Sequence, residues 1–191
     1  KDLISYLRLV VNDQDSLAMS RIINVPARGI GATSLKKLED TAVALNCSLW
    51  QVIVQVAEGK TAAGELKLSA KVRSALTGLV QLINSAKQAE AAGKKPSEIY
   101  QDILMDSGYY QLLKASKDYE SMARLENLEE FTNALQSYER EIGQDSLAGF
   151  LETITLDTTR EEVDATQGEL SLMTVHGAKG LEFPYVFLCG A

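Results

Sequence analysis

Apolar residues recur along most of this chain at the three-to-four-residue step of amphipathic helices. In residues 2–12, Leu3, Leu7 and Val10 share one stripe with Tyr6 beside them, and the run Asn12-Asp13-Gln14-Asp15 then breaks the pattern with capping residues. A second short helix is predicted over residues 16–24, carrying Leu17, Ile22 and Ile23 inward. Pro26 closes it, because the residue before a proline is pushed out of the α region. Thr33 or Ser34 is then placed to cap a helix over residues 35–45. Residues 48–57 repeat the pattern with Leu49, Trp50, Ile53 and Val56, and residues 58–68 read as a loop.

The clearest amphipathic stretch follows at residues 71–92, where Val72, Leu76, Leu79, Ile83 and Ala86 line one face. Gly93 and Pro96 end it, Ser97 is expected to cap a helix over residues 98–105, and Gly108 precedes another at residues 109–114. The longest predicted helix, residues 122–142, carries the stripe Leu125, Leu128, Phe131, Leu135, Tyr138 and Ile142, opposite a face with Glu126, Glu129, Glu130 and Glu139. Gly143 stops it, a short helix is expected at residues 146–156, and the charged, Thr-rich residues 157–168 read as a linker. Two short apolar runs, residues 170–173 and 185–188, then flank a polar loop and read as buried strands. The expected fold is mainly α: a multi-helix domain over residues 1–168 and a strand–loop–strand piece over residues 169–191.

Composition changes this picture little, and charge changes it more. A chain of 191 residues with 46% hydrophobic and 24% charged residues is ordinary for a globular protein. No apolar run is long enough to cross a bilayer, so no membrane partner is expected. Cys47 and Cys189 fit no metal spacing and read as reduced thiols of a cytoplasmic protein. The chain opens on Lys1 and stops just after an apolar run, which predicts a piece of a larger protein. The net charge of −7 argues against a chain-wide grip on nucleic acid. Residues 118–169 hold three basic against fourteen acidic residues, so this region reads as a solvated face or a protein-facing surface. Contacts to a polyanion belong in the first two thirds or in the final loop.

Two segments carry chemistry. In Arg28-Gly29-Ile30-Gly31-Ala32-Thr33-Ser34, the two glycines permit a tight turn around a buried Ile30 at the start of a helix. Backbone N–H groups at such a helix start can bind phosphate without reading sequence. The same residues also fit an ordinary capped turn between packed helices. The run is neither a dinucleotide fingerprint nor a P-loop, since no strand precedes it and G-K-[ST] is absent from it. In residues 173–184, Thr174 and His176 alternate to one side of an extended chain and can donate to phosphate oxygens. Lys179 adds a charge, and Glu182 can accept from a ribose hydroxyl. No Ser or Cys is paired with His176 by motif to make a nucleophilic triad, and there is no second histidine to build a zinc site. The bland alternative is a polar loop with a satisfied histidine.

The spacing Thr174-x-His176-x-Ala178-Lys179-Gly180-Leu181-Glu182-Phe183 resembles motif V of the UvrD/Rep/PcrA-type superfamily 1 DNA helicases. The run Asp2-Leu3, Tyr6-Leu7-Arg8-Leu9, Asn12 to Asp15 and Arg21-Ile22-Ile23-Asn24-Val25-Pro26-Ala27-Arg28-Gly29-Ile30-Gly31 resembles the start of their 2B subdomain. The resemblance implies a helical 2B subdomain over residues 1–168 and a sliver of the RecA-like 2A subdomain over residues 169–191. It further implies duplex contacts at Arg28, Gly29, Ile30, Gly31, Thr33 and Ser34, and single-stranded DNA at Thr174 and His176. Lys179, Gly180 and Glu182 would lie at the nucleotide side, Glu182 reaching the ribose of ATP. The implied parent is an ATP-dependent, magnesium-using helicase moving 3′ to 5′ on single-stranded DNA, whose 2B part contacts duplex and regulates unwinding.

The sequence holds no Walker A loop, no Mg²⁺-binding acidic pair and no arginine-rich motif VI, and phosphoryl transfer needs those parts. This chain alone is therefore expected to hydrolyse no ATP. Other readings are a non-catalytic adaptor working through its acidic residues 118–169, or the helicase subunit of a helicase–nuclease.

Overall fold

The computed structural model describes residues 1–60, 66–116, 118–142, 146–160, 173, 178 and 182–188. Among them run nine helices and no strand: α1 (Asp2–Val11), α2 (Ser16–Ile22), α3 (Ala32–Ala44), α4 (Leu49–Ala57), α5 (Ala70–Ala91), α6 (Pro96–Asp106), α7 (Tyr109–Ala115), α8 (Tyr119–Ile142) and α9 (Leu147–Arg160). The mainly α expectation is met. The chain divides into a compact unit, Lys1–Leu156, and a second unit, Asp157–Ala191.

Within the first unit α1 is the central element, packing on α2, α5 and α6 while α4 lies along α5. Its Leu3, Tyr6, Leu7 and Val10 are buried as their spacing implied, and Leu9 is buried too, so α1 is enclosed on more than one face. The predicted stripe of α5 is buried throughout, at Val72, Leu76, Leu79, Ile83 and Ala86. At the far end Tyr100, Phe131 and Phe150 pack in series, tilted and then edge-to-face, with centroids 5.0 and 5.5 Å apart, and tie α6, α8 and α9 together.

Several boundaries differ from expectation, each for a local reason. Leu17 is 83% exposed, because the short α2 turns Ala18, Met19 and Ile22 to its neighbours and leaves Leu17 on the other side. Neither Thr33 nor Ser34 caps α3; Gly31 is its N-cap, and no side chain bonds the free N–H groups there. Ser97 lies inside the first turn of α6, which starts at Pro96, a residue suited to that position because it lacks an N–H. Its N–H and hydroxyl donate to the Glu139 carboxylate at 2.7 and 3.0 Å, so Glu139 is a tie between α6 and α8 rather than part of a solvated face. α8 begins at Tyr119, with Asp118 accepting from the Ser121 N–H at 2.7 Å. α9 continues through Arg160 into the segment read as linker; residues 161–168 lie outside the described residues.

The strand–loop–strand expectation rests mostly on residues outside those described. Of its second run, Tyr185, Val186, Phe187 and Leu188 are described; they form no strand and are exposed. A β-strand is satisfied by neighbouring strands, and none is present among the described residues.

Candidate nucleic-acid interface

The hairpin between α2 and α3 is built from inside the first unit. After α2 the chain runs through Asn24 and a cis Val25–Pro26 peptide. The Asn24 side-chain oxygen accepts from the backbone N–H groups of Arg28 at 2.7 Å and Ile30 at 3.2 Å, curling residues 24–30 into a closed turn. Ile30, 2% exposed, plugs this turn into the core. Gly29 has a φ of 76°, a left-handed conformation that other residues adopt at a cost.

Arg28 was expected at the DNA, but its guanidinium points into the fold. Nη1 donates to the carbonyls of Ile22 at 2.9 Å and Pro26 at 3.3 Å, and Nη2 donates to the Tyr6 hydroxyl. Tyr6 in turn donates to the Val25 carbonyl at 2.6 Å. Burial pushes the Tyr6 pKa above its ordinary value, although the nearby Arg28 charge pulls the other way. Ile30 likewise commits both its side chain and its N–H internally. Arg28 and Ile30 therefore shape the hairpin, and its outward surface is left to Gly29, Gly31, Ala32, Thr33 and Ser34.

That outward surface is open. Gly31, Ala32 and Thr33 are exposed and Ser34 is half-buried. The Gly31 carbonyl accepts from the N–H groups of Ser34 and Leu35, both at 3.0 Å, which starts α3. The N–H groups of Ala32 and Thr33 meet no acceptor among the described residues. A Cβ added at Gly31 would touch nothing within 4 Å, and its φ of −79° is open to any residue. The positive end of the α3 dipole thus faces solvent with two donors free, which favours a small oxyanion.

The second predicted cluster is not brought into view. Thr174, His176, Lys179 and Gly180 lie outside the described residues, while Glu182 is described and exposed. Among the described residues no group of three or more His, Cys, Asp or Glu side chains could hold a metal ion. A Gly59-Lys60-Thr61 tripeptide occurs, but Val54 stands where a P-loop needs its first glycine, and a helix rather than a strand precedes it. Lys60 there pairs with Glu58 at 2.6 Å. Sequence reasoning missed Tyr6 and Asn24, the two side chains that set the hairpin. The one available signal was an asparagine two residues before a proline, a residue type that caps its own backbone turn.

Along its whole length, residues 1–191, the chain matches the UvrD-like helicase C-terminal domain. The chain belongs to that family. The UvrD-like assignment agrees with the resemblance read from residues 2–31 and 174–183. A Staphylococcus epidermidis protein named ATP-dependent DNA helicase PcrA is 39% identical over 193 residues, covering 100% of this chain and 25% of its own length. Bacillus subtilis and Staphylococcus aureus proteins of the same name are each 37% identical, again over 100% of this chain and 25% of theirs. This UvrD-like chain therefore spans about a quarter of the length of the curated relatives it matches.

Proposed function

We propose that this chain is the duplex-holding, regulatory 2B part of an ATP-dependent DNA helicase, joined to a short piece of its 2A motor domain. The observation that carries the reading is the uncapped N-terminus of α3, presented by a turn that Asn24, Tyr6 and Arg28 hold in shape. The Ala32 and Thr33 N–H groups donate to a phosphate oxygen of the duplex, and the Thr33 and Ser34 hydroxyls add further donors. Phosphate carries no sequence information, so the grip is indifferent to sequence and weakens with salt.

In the whole protein, Thr174 and His176 contact the single-stranded DNA backbone. Lys179, Gly180 and Glu182 link that contact to the ATP side. ATP and Mg²⁺ serve the whole protein, and neither is expected to bind this chain alone. No chemical step is assigned to this chain.

A titration of the 191-residue chain with fluorescent duplex and single-stranded DNA tests the reading. Duplex binding that is sequence-indifferent and falls steeply with salt is expected, with no magnesium-dependent ATP hydrolysis. Salt-independent duplex binding, or ATPase activity in a clean preparation, would refute it.

A further inference from the structure

Beside the hairpin, the segment leading into α5 and the first turn of that helix carry lysines that pair with no carboxylate among the described residues. Lys71 lies against Gly29: a Cβ built at Gly29 would sit 3.2 Å from the Lys71 Cε and 3.6 Å from its Nζ. Lys37, on α3, donates its Nζ to the Lys67 carbonyl at 3.3 Å, which ties the segment before α5 to the hairpin's own helix. Arg73 donates to the Leu66 carbonyl at 2.7 Å and steadies the same segment from the other side. Lys37, Lys67 and Lys71 are all exposed.

Arg8, Arg21, Lys60, Lys87, Lys94 and Arg124 each pair with a carboxylate, whereas Lys36, Lys95, Lys114 and Arg140, like the three lysines here, do not among the described residues. Lys37, Lys67 and Lys71 make no ion pair among the described residues. Exposed cations gathered without counter-charges repel one another and raise the local potential, which attracts a polyanion. The kind of polyanion can be narrowed. Neither residues 26–38 nor residues 66–74 contain an aromatic side chain, so single-stranded bases have no platform to stack on. These segments also hold no Asn or Gln to pair with adenine, and their two arginines, Arg28 and Arg73, are turned to backbone carbonyls instead of being free to read guanine. What remains fits a continuous row of phosphates on a double helix.

We infer that Lys37, Lys67 and Lys71 form a basic ledge that contacts duplex phosphates flanking the one held at the start of α3. The inference rests on the hairpin reading above and extends it to a second element, α5. Glu39 and Asp40 bound the ledge further along α3.

The test is a salt series of duplex binding by the 191-residue chain, compared with Lys67→Gln/Lys71→Gln, Lys67→Arg/Lys71→Arg and Gly31→Glu variants. Neither Lys67 nor Lys71 bonds the fold through its ammonium, so the variants should unfold at the wild-type temperature. Each lost phosphate contact lowers the slope of log K against log salt by about 0.9, so the glutamine pair should lose about 1.8. The arginine pair should keep the wild-type slope. An unchanged slope for the glutamine pair, with Gly31→Glu still weakening binding, removes the ledge and leaves the hairpin reading standing. Binding that Gly31→Glu leaves untouched, or no duplex binding by the wild type at low salt, overturns both. Equal losses on single-stranded and duplex DNA overturn the assignment of the partner as duplex.

Discussion

The hairpin at residues 24–34 and the run at residues 182–188, which holds only Glu182 and Phe183 of the C-terminal motif, differ in what holds them. The hairpin is closed by groups within ten residues of itself and by Tyr6 on the adjoining α1. Residues 182–188 form no helix or strand, and Phe187 is 84% exposed. A turn can be completed by its own side chains and the helices it joins, whereas a strand is completed only by other strands. Motif strength therefore says what a segment belongs to, and says nothing about whether its supports are close in the chain.

The largest expected contrast is in stability. Ile30→Ala should cost about 2–5 kcal/mol in the unfolding of the first unit, since it empties a fully buried site. Phe187→Ala, at an exposed position, should stay within about 0.5 kcal/mol. Urea unfolding followed by tryptophan fluorescence at Trp50 measures both. Equal costs at the two sites would erase the contrast.

A smaller effect is expected from pH. The Tyr6 pKa is raised from 10.0, chiefly by burial, so its proton is held more tightly in the folded state. Its stabilising contribution is complete below the unfolded value and is lost as pH rises through the folded one. The contribution of this tyrosine should accordingly be flat below about pH 10 and decline above it. Tyr100 and Tyr109 are also shifted upward by burial and act in the same direction. Tyr6→Phe should therefore make the alkaline decline shallower without abolishing it, at the cost of the bond to Val25. A decline as steep as in the wild type would detach Tyr6 from the alkaline loss of stability.

Much of the helical unit was legible because its signals are local. The stripe Val72 to Ala86 implies one buried face, and that face is buried in α5. What was not legible depends on partners distant in sequence. Ser97 and Glu139 are 42 residues apart, and neither residue type indicates that one will bond the other. The same holds for Arg28, whose place beside the glycines suggested an outward contact. Its inward direction is decided by the Ile22 and Pro26 carbonyls and by a tyrosine 22 residues earlier. Lys71 beside Gly29 is a third case, visible only once α5 is laid against the hairpin.

The account's central claim is that the open start of α3 is a phosphate contact. Gly31→Glu tests it directly, because a side chain there meets no atom within 4 Å and the backbone conformation suits any residue. The fold should be undisturbed while a carboxylate is placed before the free Ala32 and Thr33 N–H groups. Duplex affinity of the 191-residue chain, measured by fluorescence anisotropy at low salt, should fall by about tenfold, equal to about 1.4 kcal/mol, with an unchanged melting temperature. Superimposable wild-type and variant curves across the salt series would contradict the claim.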